Sequence, residues 1–175
     1  MTDPVRLPDP APAVAQLPRG SGVIVRHTDP RARAHLARAL APLCRRRRVL
    51  LLIAGDPRLA AELRADGVHF PESQGAEARV WRRRRPRWLV TTAAHGGQAL
   101  QKAARAGAHA ALLSPVFATA SHPGARALGT VRFARLVHCS PLPVYALGGI
   151  TAQSARRLKT SGAAGIAGIS GLTTG

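Results

Sequence analysis

The sequence predicts an α/β chain built on a parallel sheet, and three observations carry the prediction. Seven short apolar runs occur along the chain, almost all alternating with stretches that read as helices. The runs, among them Val49-Leu50-Leu51-Leu52-Ile53-Ala54 and Ala110-Ala111-Leu112-Leu113, are continuous rather than alternating, as strands covered on both faces are. The last two, Tyr145–Ile150 and Gly165–Ser170, end in glycine-rich or small-residue turns. Such turns leave backbone N–H groups uncovered, and a helix fed by the first adds positive potential. Together they read as a phosphate cup, which in a βα-barrel is expected after strands seven and eight.

Residues 1–20 hold five prolines and are poor material for regular structure, apart from a short helix over Ala11–Leu17. Gly20-Ser21-Gly22 breaks the chain before the first buried-type strand, Val23-Ile24-Val25. Asp29-Pro30 then supplies an N-cap and a first-turn proline. The helix they start should turn Leu36, Leu40 and Leu43 inward and end near Cys44. After strand Val49–Ala54, Gly55-Asp56-Pro57 turns the chain into a helix over Arg58–Arg64. Asp66–Phe70 is a short strand, Gly75–Arg83 a helix, and Trp88–Thr92 the next strand. Gly97–Ala106 is a helix closed by Gly107, and Ala110–Leu113 a strand. A long small-residue loop runs from Ser114 to Gly129, followed by a helix over Thr130–Cys139, the strand Pro143–Leu147 and a last full helix over Ser154–Thr160.

At 175 residues the chain reads as one domain, long enough to bury roughly 70% of its unfolded surface. The Pro-rich segment 1–21 stands before a barrel domain over 22–175. Aromatic residues are only 3%, so Ala, Leu and Val must fill the core. The formal charge of +18 comes almost wholly from arginine. It has two readings, a GC-rich composition and a surface for a polyanion such as RNA; the first is favoured. Both arginine runs, Arg45–Arg48 and Arg82–Arg85, precede a strand, where they suit the negative end of a helix dipole. The two cysteines, Cys44 and Cys139, lack disulfide or zinc spacing and fit a reduced, cytoplasmic setting. No apolar run approaches a membrane span.

At Ala65-Asp66-Gly67-Val68-His69 the chain begins to resemble the thiamine phosphate synthase and TenI family. The resemblance continues through Ser114–Thr119, Pro143–Ile150 and Gly165–Ser170, and covers roughly residues 22 to 172. It implies a (βα)8 TIM barrel. It also implies a transferase of thiamine biosynthesis that joins an aminomethylpyrimidine diphosphate to a thiazole phosphate, releasing diphosphate with Mg²⁺ present. Carried over, Gly148 or Gly149 with Ile169 and Ser170 contact the thiazole phosphate. Arg26, Thr119, Ser121 and His122 fall to the diphosphate, with Arg26 and His122 as the catalytic candidates.

The chain departs from the family at the other half of the site. Where synthases carry an Asn-Asp pair after the third strand, this chain has Ala54-Gly55, with Asp56 one residue late. The Gly-Gln-x-Asp turn is Pro71-Glu72-Ser73-Gln74. No residue can be named as a metal ligand in register. The synthase serine near the end of strand five is Ala93, and the Thr-x-Thr-Lys segment reads Thr119-Ala120-Ser121-His122. The histidine of the tautomerase members is replaced by Pro115. His27 and His95 stand at strand-to-helix turns where either can meet a phosphate, whereas His69 reads as structural. Family chains begin with an apolar strand ending in a Thr-Asp turn. Met1-Thr2-Asp3-Pro4 resembles its tail, so the barrel is expected to lack most of strand one, with the natural start about ten residues upstream. Two alternatives stay open beside the synthase: a TenI-like relative that binds or isomerises a thiazole, and a basic RNA-associated barrel.

Overall fold

Asp29 opens the longest helix as the sequence predicts. Its carboxylate accepts the backbone N–H groups of Arg31 and Ala32 at 3.4 and 2.7 Å, with Pro30 in the first turn. The computed structural model describes residues 1–119, 124 and 126–169. In these, seven strands and seven α-helices follow one another along the chain. Two compact units are distinguished, residues 1–69 with 85–89, and residues 70–84 with 90–175.

The first unit carries α1 (Ala11–Gln16), β1 (Gly22–Val25), α2 (Pro30–Arg47), β2 (Leu50–Ala54), α3 (Pro57–Glu62) and β3 (Gly67–Phe70) up to His69. β1 pairs parallel with β2, Val23 opposite Leu51, and β2 with β3, Ile53 opposite Val68. Val25, Leu40, Ile53 and Val68 are fully buried. α2 runs three residues beyond its expected end, through Arg45, Arg46 and Arg47, and closes on Arg48 in the left-handed conformation at φ 56°. Arginine is a good helix former and its charge suits a helix C-terminus, so the run extends the helix instead of breaking it. Thr2 lies along β1: its N–H donates to the Ile24 carbonyl, and its hydroxyl accepts the Arg26 N–H and donates to the Arg26 carbonyl. Gly67 is required by close approach, since a Cβ there would fall 1.9 Å from the Leu89 carbonyl oxygen.

The second unit carries a 3₁₀ turn (Glu72–Gln74), α4 (Glu77–Arg84), β4 (Leu89–Ala94) from Val90 on, α5 (Gly97–Arg105), β5 (Ala110–Leu113), α6 (Gly129–His138), β6 (Val144–Ala146), α7 (Ala152–Arg156) and β7 (Gly165–Ile166). Here β4, β5, β6 and β7 pair parallel in chain order. Leu100, Leu113, Val116, Phe133, Val144 and Ala146 lie in one buried cluster. Gly107 closes α5 at φ 76° as expected. α4 ends on Arg82, Arg83 and Arg84, so both arginine runs occupy helix C-termini.

The last helix and the last strand are shorter than the sequence suggests. The helix expected over Ser154–Thr160 is a five-residue α7, started by a capping box between Thr151 and Ser154. Within Gly165–Ser170, read as a short strand ending in a small-residue turn, Gly165 and Ile166 pair with Tyr145 and Ala146, and Ser170 lies outside the described residues.

Candidate functional site

In the second unit the polar and glycine groups gather at the C-terminal ends of the strands. β6 leads into Gly148 and Gly149, whose φ values of 93° and 64° belong to the left-handed region. Both are also sterically required. A Cβ on Gly148 would lie 2.8 Å from the Pro115 Cα, and one on Gly149 would lie 2.5 Å from the Ala118 carbonyl oxygen. The segment after β5 is tied to this turn by Val116 N–H to the Leu147 carbonyl and Phe117 N–H to the Gly148 carbonyl. The Ser154 hydroxyl donates to the Gly149 carbonyl at 3.0 Å. The carbonyls are thus engaged, while among the described residues neither Gly148 nor Gly149 donates its N–H. Since α7 has only five residues, the anion-attracting part of this turn is the pair of glycine N–H groups rather than a long helix dipole.

Ile169 is described and half-buried three residues beyond β7. Thr119 is half-buried on the loop after β5. Ser121, His122 and Ser170 lie outside the described residues. The structure therefore brings Gly148 and Gly149 together with the Pro115–Ala118 segment. Two further features escape the sequence reading. The Arg157 guanidinium lies 5.2 Å from the centre of the Phe117 ring, a cation–π contact between the loop and the end of α7. Glu72 Oε2 accepts the His95 backbone N–H at 3.0 Å, and the His95 ring bonds the Ser114 carbonyl at 2.8 Å. Neither leaves a motif, because each joins residues distant in the chain.

The first unit holds a separate polar set. Arg26 follows β1, is exposed, and sets its guanidinium 3.9 Å from Asp3. His27 accepts the Asp29 N–H on Nδ1 at 3.1 Å, and its carbonyl accepts Arg33 at 3.0 Å. Arg33 also pairs with Asp56 at 3.2 Å. His69 is buried. Its imidazole is held down to about 4, first by desolvation and then by the positive chain terminus and Arg26, so the ring is neutral at pH 7. Cys44 is buried, its thiol pushed up to about 11 by desolvation.

Magnesium takes hard oxygen ligands, usually one or two carboxylates with substrate phosphates. Both oxygens of Asp56 are engaged: Oδ1 accepts the Leu59 N–H at 3.0 Å as the cap of α3, and Oδ2 holds Arg33. Glu72 is tied to His95 through Oε2. Among the described residues no three His, Cys, Asp or Glu side chains group as a metal site. Among the described residues, then, no set of three protein donors is assembled for magnesium.

No helix among the described residues is long and apolar enough to cross a membrane. A family model described as thiamine monophosphate synthase matches residues 14–172. A putative thiamine-phosphate synthase 2 from Aquifex aeolicus is 38% identical over 77% of this chain and 72% of its own length. The thiamine-phosphate synthase of Alcanivorax borkumensis is 29% identical over 98% of this chain and 82% of its own length. The thiamine phosphate pyrophosphorylase of Pyrococcus furiosus superposes with a TM-score of 0.80 at 23% identity, over 97% of this chain and 83% of its own. That likeness shows the fold, an α/β chain of the TIM-barrel type with seven parallel strands described. The chain belongs to the thiamine monophosphate synthase family.

Proposed function

We propose that the protein is a thiamine phosphate synthase, coupling an aminomethylpyrimidine diphosphate to a thiazole phosphate. The observation that carries the reading is the Gly148-Gly149 turn. Its two positive-φ residues leave both N–H groups uncommitted among the described residues, beside a loop pinned to the same strand end. Gly148 and Gly149, with Ile169 and Ser170, hold the thiazole phosphate. Thr119, Ser121 and His122 hold the diphosphate, and Arg26 stays a catalytic candidate of the first unit.

The thiazole nitrogen gives its lone pair to the pyrimidine methylene carbon. The bond from that carbon to the diphosphate oxygen breaks, and diphosphate leaves with the electron pair. No side chain becomes covalently bonded; fixed orientation and hydrogen-bond donors at the departing charge supply the rate. Two thiols without a disulfide partner suit a cytoplasmic setting.

A second reading, thiazole phosphate binding without coupling, is favoured by one observation: both oxygens of Asp56 are already engaged. Purified protein supplied with both substrates and Mg²⁺ separates the two. Thiamine phosphate formation supports the synthase. Binding of thiazole phosphate with no product over prolonged incubation overturns it.

A further inference from the structure

α6 has two unlike faces. Phe133 and Val137 are buried in the core cluster of the second unit. Residues two apart on a helix stand about 200° apart, so Val131 and Arg135 fall on the opposite face, with Arg132 beside them. Val131 is 83% exposed, and both arginines are exposed. Together with Arg126, Ala127 and Leu128 they line an open cavity of about 400 Å³. The coupling chemistry above uses none of these residues.

The charge of this cavity has no counterpart in its lining, which holds three arginines and no carboxylate. The whole second unit has just two acidic residues, Glu72 and Glu77, and Glu72 is bonded to the His95 N–H. Other arginines of the unit serve the fold. Arg79 donates to the Arg105 carbonyl, Arg82 meets His109, and Arg157 covers the Phe117 ring. Among the described residues, the ion pairs fall to Arg6, Arg26, Arg33 and Arg38, so Arg126, Arg132 and Arg135 have no anion to hold.

A guanidinium matches phosphate oxygens with two parallel N–H bonds. One carboxylate would leave two of the three guanidiniums unmatched, whereas a chain of linked phosphates carries enough charge for all of them. The volume is that of a small-ligand site, and Leu128 and the open Val131 methyls offer an apolar seat beside the charge. We propose that the outward face of α6 binds a small ligand carrying linked phosphates, of the nucleoside triphosphate class, at a site separate from the glycine cup.

The test measures binding of ATP and of inorganic tripolyphosphate, without Mg²⁺, by calorimetry. It compares wild type, Arg132→Gln/Arg135→Gln, and Arg83→Gln/Arg84→Gln, which removes the same charge from exposed positions on α4. The α6 variant is expected to lose affinity at least tenfold, through the loss of two charge-assisted contacts, and the α4 variant to bind as wild type does. Gly148 and Gly149 are intact in both, so a loss confined to the α6 variant locates the ligand there. Tighter binding of ATP than of tripolyphosphate puts a nucleoside on Val131, and equal binding assigns an inorganic chain; either supports the site. Far-UV circular dichroism confirms that each variant is folded. Equal losses in the two variants would mean attraction by net charge alone and overturn the assignment. So would an absence of binding in wild type, or a single-stranded RNA bound at α6 where neither small ligand binds. None of these readings requires turnover, so the outcome stands apart from that of the coupling assay.

Discussion

Phe117 stands against Gly149 so closely that a Cβ on the glycine would come within 2.7 Å of the Phe117 Cβ. The contact belongs to a continuous arrangement, since Phe117 N–H bonds the Gly148 carbonyl and its ring lies under Arg157. The Pro115–Ala118 segment and the glycine turn are therefore packed as one piece. Gly149→Ala must fit a side chain at φ 64° and displace backbone at Ala118. We expect a loss of roughly 2–4 kcal/mol, with thiazole phosphate affinity falling at least tenfold in protein that remains folded. A variant with wild-type melting and affinity would sink both the packing argument and the cup.

Asp56 divides its carboxylate between the cap of α3 and Arg33. Asp56→Ala removes both roles, and the loss of a cap alone costs about 1 kcal/mol. Asp56→Asn keeps an oxygen for the Leu59 N–H and loses the charge, so it should fall between alanine and wild type. If Asp56 is structural, adding MgCl₂ shifts the melting temperature of wild type and Asp56→Asn equally. A magnesium-dependent rise confined to wild type would show that the carboxylate leaves Arg33 for the metal.

The fold was legible where local chemistry repeats along the chain. The seven apolar runs became the seven strands, and the caps at Asp29 and Asp56 start the helices they announce. The arginine runs sit at helix C-termini as their sequence positions imply. The glycine turn at Gly148-Gly149 was legible because left-handed backbone selects glycine. The polar half of the site was less so. An aspartate letter reads alike as a cap and as a ligand, and only the 3.2 Å approach of Arg33 decides for Asp56. The bond between His95 and Ser114 depends on the β4–β5 register, which nothing local to either residue encodes.

His69 ties stability to acid. Its imidazole takes a proton near 6.5 in the unfolded chain and only near 4 in the folded protein, because burial opposes the charge. Between those values the unfolded state binds more protons, so stability rises with pH across the window. The contribution is complete above pH 6.5 and is lost as pH falls toward 4, by roughly 3 kcal/mol for this one group. Urea unfolding at pH 7.0 and 4.5 should show the loss, and His69→Gln should flatten it. An NMR titration of wild type reads the same group directly. A His69 ring that titrates near 6.5 in folded protein would refute the account.

Thr92 offers the opposite case, a polar atom whose removal should help. It pairs with Ala111 in the β4–β5 ladder, and two residues on, Ala94 enters the buried cluster. By the two-residue period of a strand, Thr92 faces that cluster. It is 1% exposed, and its hydroxyl has no hydrogen-bond partner among the described residues. Thr92→Val keeps the shape, replaces the hydroxyl by a methyl and favours the strand, so it should stabilise by about 1 kcal/mol. Thr92→Ser keeps the hydroxyl and deletes the methyl, and should destabilise by about 1 kcal/mol. The urea midpoint should rise for valine and fall for serine, with an unchanged m-value in both. A valine variant less stable than wild type would mean that the hydroxyl is bonded in solution.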